Sequence, residues 1–100
     1  MPETVREYET TFILNPEQSE EGRERSLNRI KEVIESSGGE IEEIEEWGEK
    51  RLAYEMYNHN TGYYVVISFS GPTEVTDALE REFGLIGDVM RHLLVRKDNK

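Results

Sequence analysis

The stretch 45–69, EEWGEKRLAYEMYNHNTGYYVVISF, restricts the possible folds of this chain more than any other. Aromatic and β-branched residues flank a polar, glycine-containing connection, Asn58-His59-Asn60-Thr61-Gly62. That pattern predicts two strands joined by a hairpin. Successive side chains of a strand alternate between faces, so Tyr63, Val65, Ile67 and Phe69 share one face of the second strand. Tyr64, Val66, Ser68 and Ser70 take the other. In the first strand Leu52, Tyr54 and Met56 lie opposite Arg51, Ala53, Glu55 and Tyr57. One face reads as core. The other, mixing a cation, an aromatic ring and small residues, reads as a docking surface.

The flanking sequence supplies the partners this hairpin needs. Residues 6–15 alternate as a strand, with Tyr8, Thr10, Phe12 and Leu14 on one face, and Asn15-Pro16 ends it because proline lacks a ladder N–H. Ser19 is placed to cap a helix whose first turn holds Glu20 and Glu21, where the helix dipole favours negative charge. Leu27, Ile30, Val33 and Ile34 give that helix a narrow apolar stripe, and Glu21–Arg25 and Lys31–Glu35 are opposite-charge pairs four residues apart. Gly38-Gly39 stops it, one of the two in the left-handed conformation. Residues 40–47 form a strand in which Ile41 and Ile44 differ in parity, so a bulge between them or a bend at Gly48 is required to bury both. Beyond the hairpin, Gly71-Pro72 breaks the chain and Thr73 caps a second helix with the stripe Val75, Ala78, Leu79 and Phe83, ended by Gly84. Residues 88–97 are a last strand, apolar on both faces and therefore central or covered, and 97–100 a short frayed tail.

Strand, helix, strand, strand, helix, strand is the order of two right-handed strand–helix–strand units joined by a hairpin. It predicts an α+β, ferredoxin-like plait: one domain over residues 1–100, a four-stranded antiparallel sheet and both helices on one face. The second face then has no helix over it. Thr11, Ile13, Tyr64, Val66 and part of the last strand should lie there, too apolar a surface for bare solvent. The fold leaves room for a partner.

Composition narrows the chemistry. The 100 residues include no cysteine, which removes disulfides, thiol nucleophiles and thiolate metal sites. The first residues resemble no signal peptide, and no apolar run approaches the roughly 18 residues that span a bilayer, so a soluble cytoplasmic protein is expected. The net charge of −10 is unevenly spread: 15 carboxylates face 5 cations in the first 49 residues, and 7 face 7 thereafter. The acidic half reads as a solvated face or as a surface for a basic partner protein.

Catalytic constellations are scarce. His59 and His92 lie in a turn and on a strand without partners at motif spacing, and the glutamates at 42, 43, 45 and 46 lack the loop of a calcium site. There is no phosphate-binding glycine loop or nucleophile elbow, so no enzymatic activity, cofactor, metal or small-molecule substrate is expected. An acylphosphatase-like hydrolase would need an arginine in the loop after the first strand, where residues 15–21 read NPEQSEE and would repel phosphate. The cations of the second half say more. Lys50, Arg51, Arg91, Arg96 and Lys97 interleave with Tyr54, Tyr57, Tyr63 and Tyr64, the combination that unpaired RNA requires: guanidinium groups for phosphates and rings for bases.

These residues also carry a resemblance. Arg6-Glu7-Tyr8-Glu9, Leu14-Asn15-Pro16, the run Trp47-Gly48-Glu49-Lys50-Arg51-Leu52-Ala53-Tyr54, Gly62-Tyr63, and Val89, Arg91, Val95 and Arg96 of the last strand resemble the S-six family of bacterial small-subunit ribosomal proteins. The resemblance implies the plait, no catalysis, and binding to the central domain of small-subunit ribosomal RNA. It also implies a second partner, the small basic ribosomal protein S-eighteen. Carried over, Arg6, Lys50, Arg51, Arg91 and Arg96 become RNA- or partner-binding cations, and Tyr8, Tyr54, Tyr63 and Tyr64 their aromatic companions. Glu55 stands where the family often has proline, and Glu7 where it often has a basic residue. A protein that is monomeric when free and ribosome-associated in the cell is expected. The alternative is a free-standing plait resembling an RNA-recognition motif, for which Tyr63-Tyr64-Val65-Val66 is a poor copy of the required aromatic pattern.

Overall fold

A computed structural model describes residues 5–56 and 58–97. Tyr57, read above as part of the docking surface, and the tail residues 98–100 lie outside the described residues. The elements run β1 (Arg6–Leu14), α1 (Glu20–Ser36), β2 (Glu40–Met56), β3 (His59–Gly71), α2 (Glu74–Leu85) and β4 (Val89–Arg96). The sheet order is β2-β3-β1-β4, every pairing antiparallel. This is the plait expected from the order of elements.

One cluster holds it together. Leu27, Ile30 and Ile34 of α1 and Val75, Leu79 and Phe83 of α2 close over Tyr8, Phe12, Leu14, Val65, Ile67 and Phe69. Phe12 and Phe83 meet with ring centroids 5.3 Å apart, and Tyr8 stacks on Phe69 at 5.5 Å. Each such side chain contributes about 1.5–3 kcal/mol by leaving water, which offsets the entropy of ordering the chain. Arg29 of α1 forms an ion pair with Glu82 of α2 across the top of the layer. The pairs Glu21–Arg25 and Lys31–Glu35 are not among the ion pairs of the described residues.

The helix ends obey local chemistry. Ser19 Oγ accepts the Gly22 N–H at 3.0 Å and so caps α1, and Gly38 at φ +99° ends it. Thr73 precedes α2 but its side chain makes no capping bond. The first turn is closed instead by backbone bonds from Val75 to Pro72 and from Thr76 to Thr73.

β2 is a single 17-residue strand whose pairing with β3 slips three times, between Ile41 and Glu43, between Glu46 and Gly48, and between Arg51 and Met56. Each extra residue reverses the alternation, so Ile41 and Ile44 both reach the core. The second slip is where Gly48 takes φ +87°. The hairpin connection is shorter than the sequence suggests. Met56 pairs with His59, Asn58 sits at φ +67°, and residues 59–62 belong to β3. Gly62 is therefore a strand residue; a Cβ there would lie 2.3 Å from Ile13 Cγ2.

Two further expectations change. β4 is an edge strand rather than a central one, and its Leu93 and Val95 are 62% and 42% exposed. Its mixed parity comes from a slip opposite Ile13 and Leu14, which turns Val89 and Leu94 toward the core and Arg91, Leu93 and Val95 away from it. Lys97 is tied down, its N–H donating to the Glu7 carbonyl at 2.7 Å and its Nζ to Ser68 Oγ at 3.4 Å. Among the described residues no helix is long and apolar enough to cross a membrane.

Candidate nucleic-acid and partner interface

Paired residues of neighbouring strands share a face, so the register sorts the sheet into two sides. The helix-covered side carries Tyr8, Thr10, Phe12 and Leu14. The other side carries Glu7, Glu9, Thr11 and Ile13 of β1, Gly62, Tyr64, Val66 and Ser68 of β3, and Arg91, Leu93 and Val95 of β4. On β2 the register adds Glu43, Glu45 and Lys50 to this open side. Although no helix covers them, Val66 and Ile13 are only 5% and 8% exposed. Side chains of the sheet itself shield them.

Leu52 is part of that shield. It is buried, and it meets the same point above Gly62 that Ile13 meets. Leu52 and Tyr54 thus lie on the face of Tyr64, while Met56, beyond the slip that separates it from Arg51, pairs with His59. Together with Ile13, Tyr64 and Arg91 they line a shallow cleft of about 180 Å³. At its rim Arg91 Nη1 donates to the Tyr54 hydroxyl at 2.8 Å, and both side chains are exposed. The bond aims a guanidinium group and a ring outward from one spot.

The sheet therefore divides the nine candidate residues. Lys50, Tyr54, Tyr64 and Arg91 come together at the hairpin end of the open face. Arg6, Arg51 and Arg96 are placed by register on the helix-covered side, with Arg6 and Arg96 at the far end of the sheet. Tyr8 is buried against Phe69, so its ring is committed to the core and has no face for a base. Tyr63 is half-buried at the edge of the helix-covered side. Arg23 of α1 lies 4.2 Å over its ring, and its hydroxyl donates to Glu46 Oε1 at 2.8 Å. It joins α1, β2 and β3.

Burial pushes the Tyr63 phenol above its usual 10.0, and the Glu46 hydrogen bond and charge push the same way, with Arg23 opposing them. The folded state thus holds this proton more tightly than the unfolded chain does. The resulting stabilisation is fully present below the unfolded value and is lost as pH rises through the folded one. In alkaline denaturation the wild type should lose stability in that window, whereas Tyr63→Phe should lose less; equal losses would show that the Tyr63 environment is not the cause.

Trp47 belongs to the motif run quoted above but is not among the candidate binding residues. It is 51% exposed on the open face, stacks on Tyr64 with centroids 6.4 Å apart and planes 13° from parallel, and donates from Nε1 to Glu45 Oε1 at 3.1 Å. A bulky ring beside a glycine within an otherwise acidic segment was the available signal. Around it the face turns acidic: Glu43, Ser68 and Glu9 form one row across three strands, and Glu45, Val66 and Thr11 the next. Glu43 and Glu45 are exposed, so replacing both with glutamine should change stability by less than about 0.5 kcal/mol in a denaturant titration. A larger loss would reveal a structural partner for them.

The helix-free face of this α+β plait gathers rings, cations and carboxylates around a shielded apolar floor, the composition of a surface suited to docking. The comparisons with known proteins give that plait a family. Residues 7–96 match the family model of Ribosomal protein S6. Small ribosomal subunit protein bS6 of Clostridium botulinum (strain Loch Maree / Type A3) is 39% identical over 94 residues, which are 94% of this chain and all of that protein. Its counterpart in Carboxydothermus hydrogenoformans is 40% identical over 94 residues, 98% of its own length. The crystal structure of 30S ribosomal protein S6 from Thermotoga maritima superposes with a TM-score of 0.88 at 32% identity, covering 94% of this chain and 89% of that one. An uncharacterized protein of Thermotoga maritima, at 17% identity and a TM-score of 0.55, shares the fold alone. The chain belongs to the Ribosomal protein S6 family.

Proposed function

We propose that this protein is a non-catalytic structural constituent of the small ribosomal subunit, held there by the central domain of the subunit's RNA together with the basic protein S-eighteen. The observation that carries the reading is the division of the open face. One end presents Lys50, Arg91, Tyr54 and Tyr64, which suit phosphates and unpaired bases; the other presents Glu43, Glu45 and Glu9 around the one ammonium of Lys97, a net negative surface that suits a basic protein. A chain of net charge −10 gains little from phosphate on its own. Neutralised by a basic companion, it can sit beside RNA with its few cations turned toward the backbone. Family membership and the names of the relatives support the same placement.

Sedimentation of the native protein through a sucrose gradient at moderate salt tests this. The expected result is co-migration with the small ribosomal subunit, persisting until high salt strips it off. Recovery only at the top of the gradient would overturn the reading in favour of a free-standing binding plait.

A further inference from the structure

We propose that Trp47, backed by Tyr64 and flanked by Glu45 and Glu43, is a receptor for an arginine side chain of the basic protein partner. The inference rests on the partner reading above and assigns it a site. Trp47 is 51% exposed, and tryptophan is the strongest aromatic acceptor for a cation. Its Nε1 is anchored by Glu45 Oε1 and its ring lies almost parallel to Tyr64, so the shelf is held in place before anything binds. Glu43 and Glu9 flank Ser68 in the next row, where the chain's own Lys97 Nζ reaches Ser68 Oγ at 3.4 Å; with Glu45, three carboxylates still outnumber that one ammonium. Those carboxylates repel phosphate and attract a guanidinium group, so charge complementarity selects a cationic protein segment over RNA for this end of the face.

The molecule builds the same arrangement within itself. At Tyr63 on the opposite side, the Arg23 guanidinium stands 4.2 Å over the ring while Glu46 accepts the phenol hydrogen bond. Cation, ring and carboxylate form one closed unit there. At Trp47 the ring and its carboxylate are arranged alike but open to solvent, and the arginine is left for a partner to supply.

The full-length protein can be titrated with a short fluorophore-labelled arginine-containing peptide at low ionic strength, beside the same peptide carrying citrulline and a single-stranded oligouridylate. Trp47 is the sole tryptophan, so its emission reports occupancy of the shelf directly. The expected result is a saturable emission change with the arginine peptide and none with citrulline. By anisotropy of the labelled peptide, Trp47→Ala should bind about two- to fivefold more weakly. The doubly substituted Glu43→Gln, Glu45→Gln protein, which keeps the Trp47 hydrogen-bond acceptor, should bind about threefold more weakly. Unchanged peptide binding by Trp47→Ala would overturn the proposal, as would emission that answers to the oligouridylate instead of the peptide. The gradient experiment bears on the ribosomal reading alone and this titration on the shelf alone, so the failure of either is recognisable without the other.

Discussion

Gly62→Ala is expected to destabilise the domain by about 1–3 kcal/mol, the range for forcing an extra methyl into a filled space. The added Cβ would stand 2.3 Å from Ile13 Cγ2 and 3.4 Å from Leu52 Cδ2, two side chains that are themselves buried. Ile13 is fixed in the central strand β1 between β3 and β4, and Leu52 is the lid of the open-face floor near the hairpin. The clash therefore pushes β2 away from β3 at Lys50 and Arg51, next to the Tyr54–Arg91 contact. Chemical denaturation should show the loss of stability, and amide exchange should show it concentrated in residues 50–62. A variant as stable as wild type would mean that the two side chains share spare room. Gly48→Ala is a useful contrast: nothing lies within 4 Å of its added carbon, so any cost there comes from φ +87° alone.

Arg91→Ala is expected to weaken assembly into the RNA–protein complex about tenfold, equivalent to about 1.4 kcal/mol, while changing stability by less than about 0.5 kcal/mol. Its side chain is exposed and its visible partner is the exposed Tyr54 hydroxyl, a bond worth little to folding. If the guanidinium meets a phosphate, its removal should also reduce the salt dependence of binding by about one unit of log–log slope. Arg51 provides the internal control. It sits one residue from Lys50 in the sequence but on the other side of the sheet, so Arg51→Ala should weaken assembly less than Arg91→Ala. The reverse ranking would place the RNA on the helix-covered edge and remove the hairpin end of the open face from the interface. Unfolding of Arg91→Ala would make that arginine structural.

Much of this was legible without coordinates. Alternation in residues 6–15, helical spacing from Leu27 to Ile34, and the breakers at Asn15-Pro16, Gly38-Gly39 and Gly71-Pro72 are local signals, and local signals decide which elements form. Even the slip near Ile41 and Ile44 could be anticipated, since two isoleucines of opposite parity cannot both be buried by a regular strand. The site was legible only in its residue types. Arginines and tyrosines in the second half marked a binding surface, but their grouping required the register.

The amino-acid sequence by itself determined the six elements, their order, the plait, and the presence of an acidic half and a basic-aromatic half. Only the tertiary structure decided which side of the sheet each functional side chain occupies. The physical reason is that facing has a period of two residues, so each unpaired residue inserted into a strand reverses everything beyond it. β2 contains two such slips before Lys50, and β4 one at its start. Whether Leu52 faces Val65 or Ile13, whether Tyr54 meets Arg91, and whether Trp47 stacks on Tyr64 are settled by pairing across strands far apart in the chain.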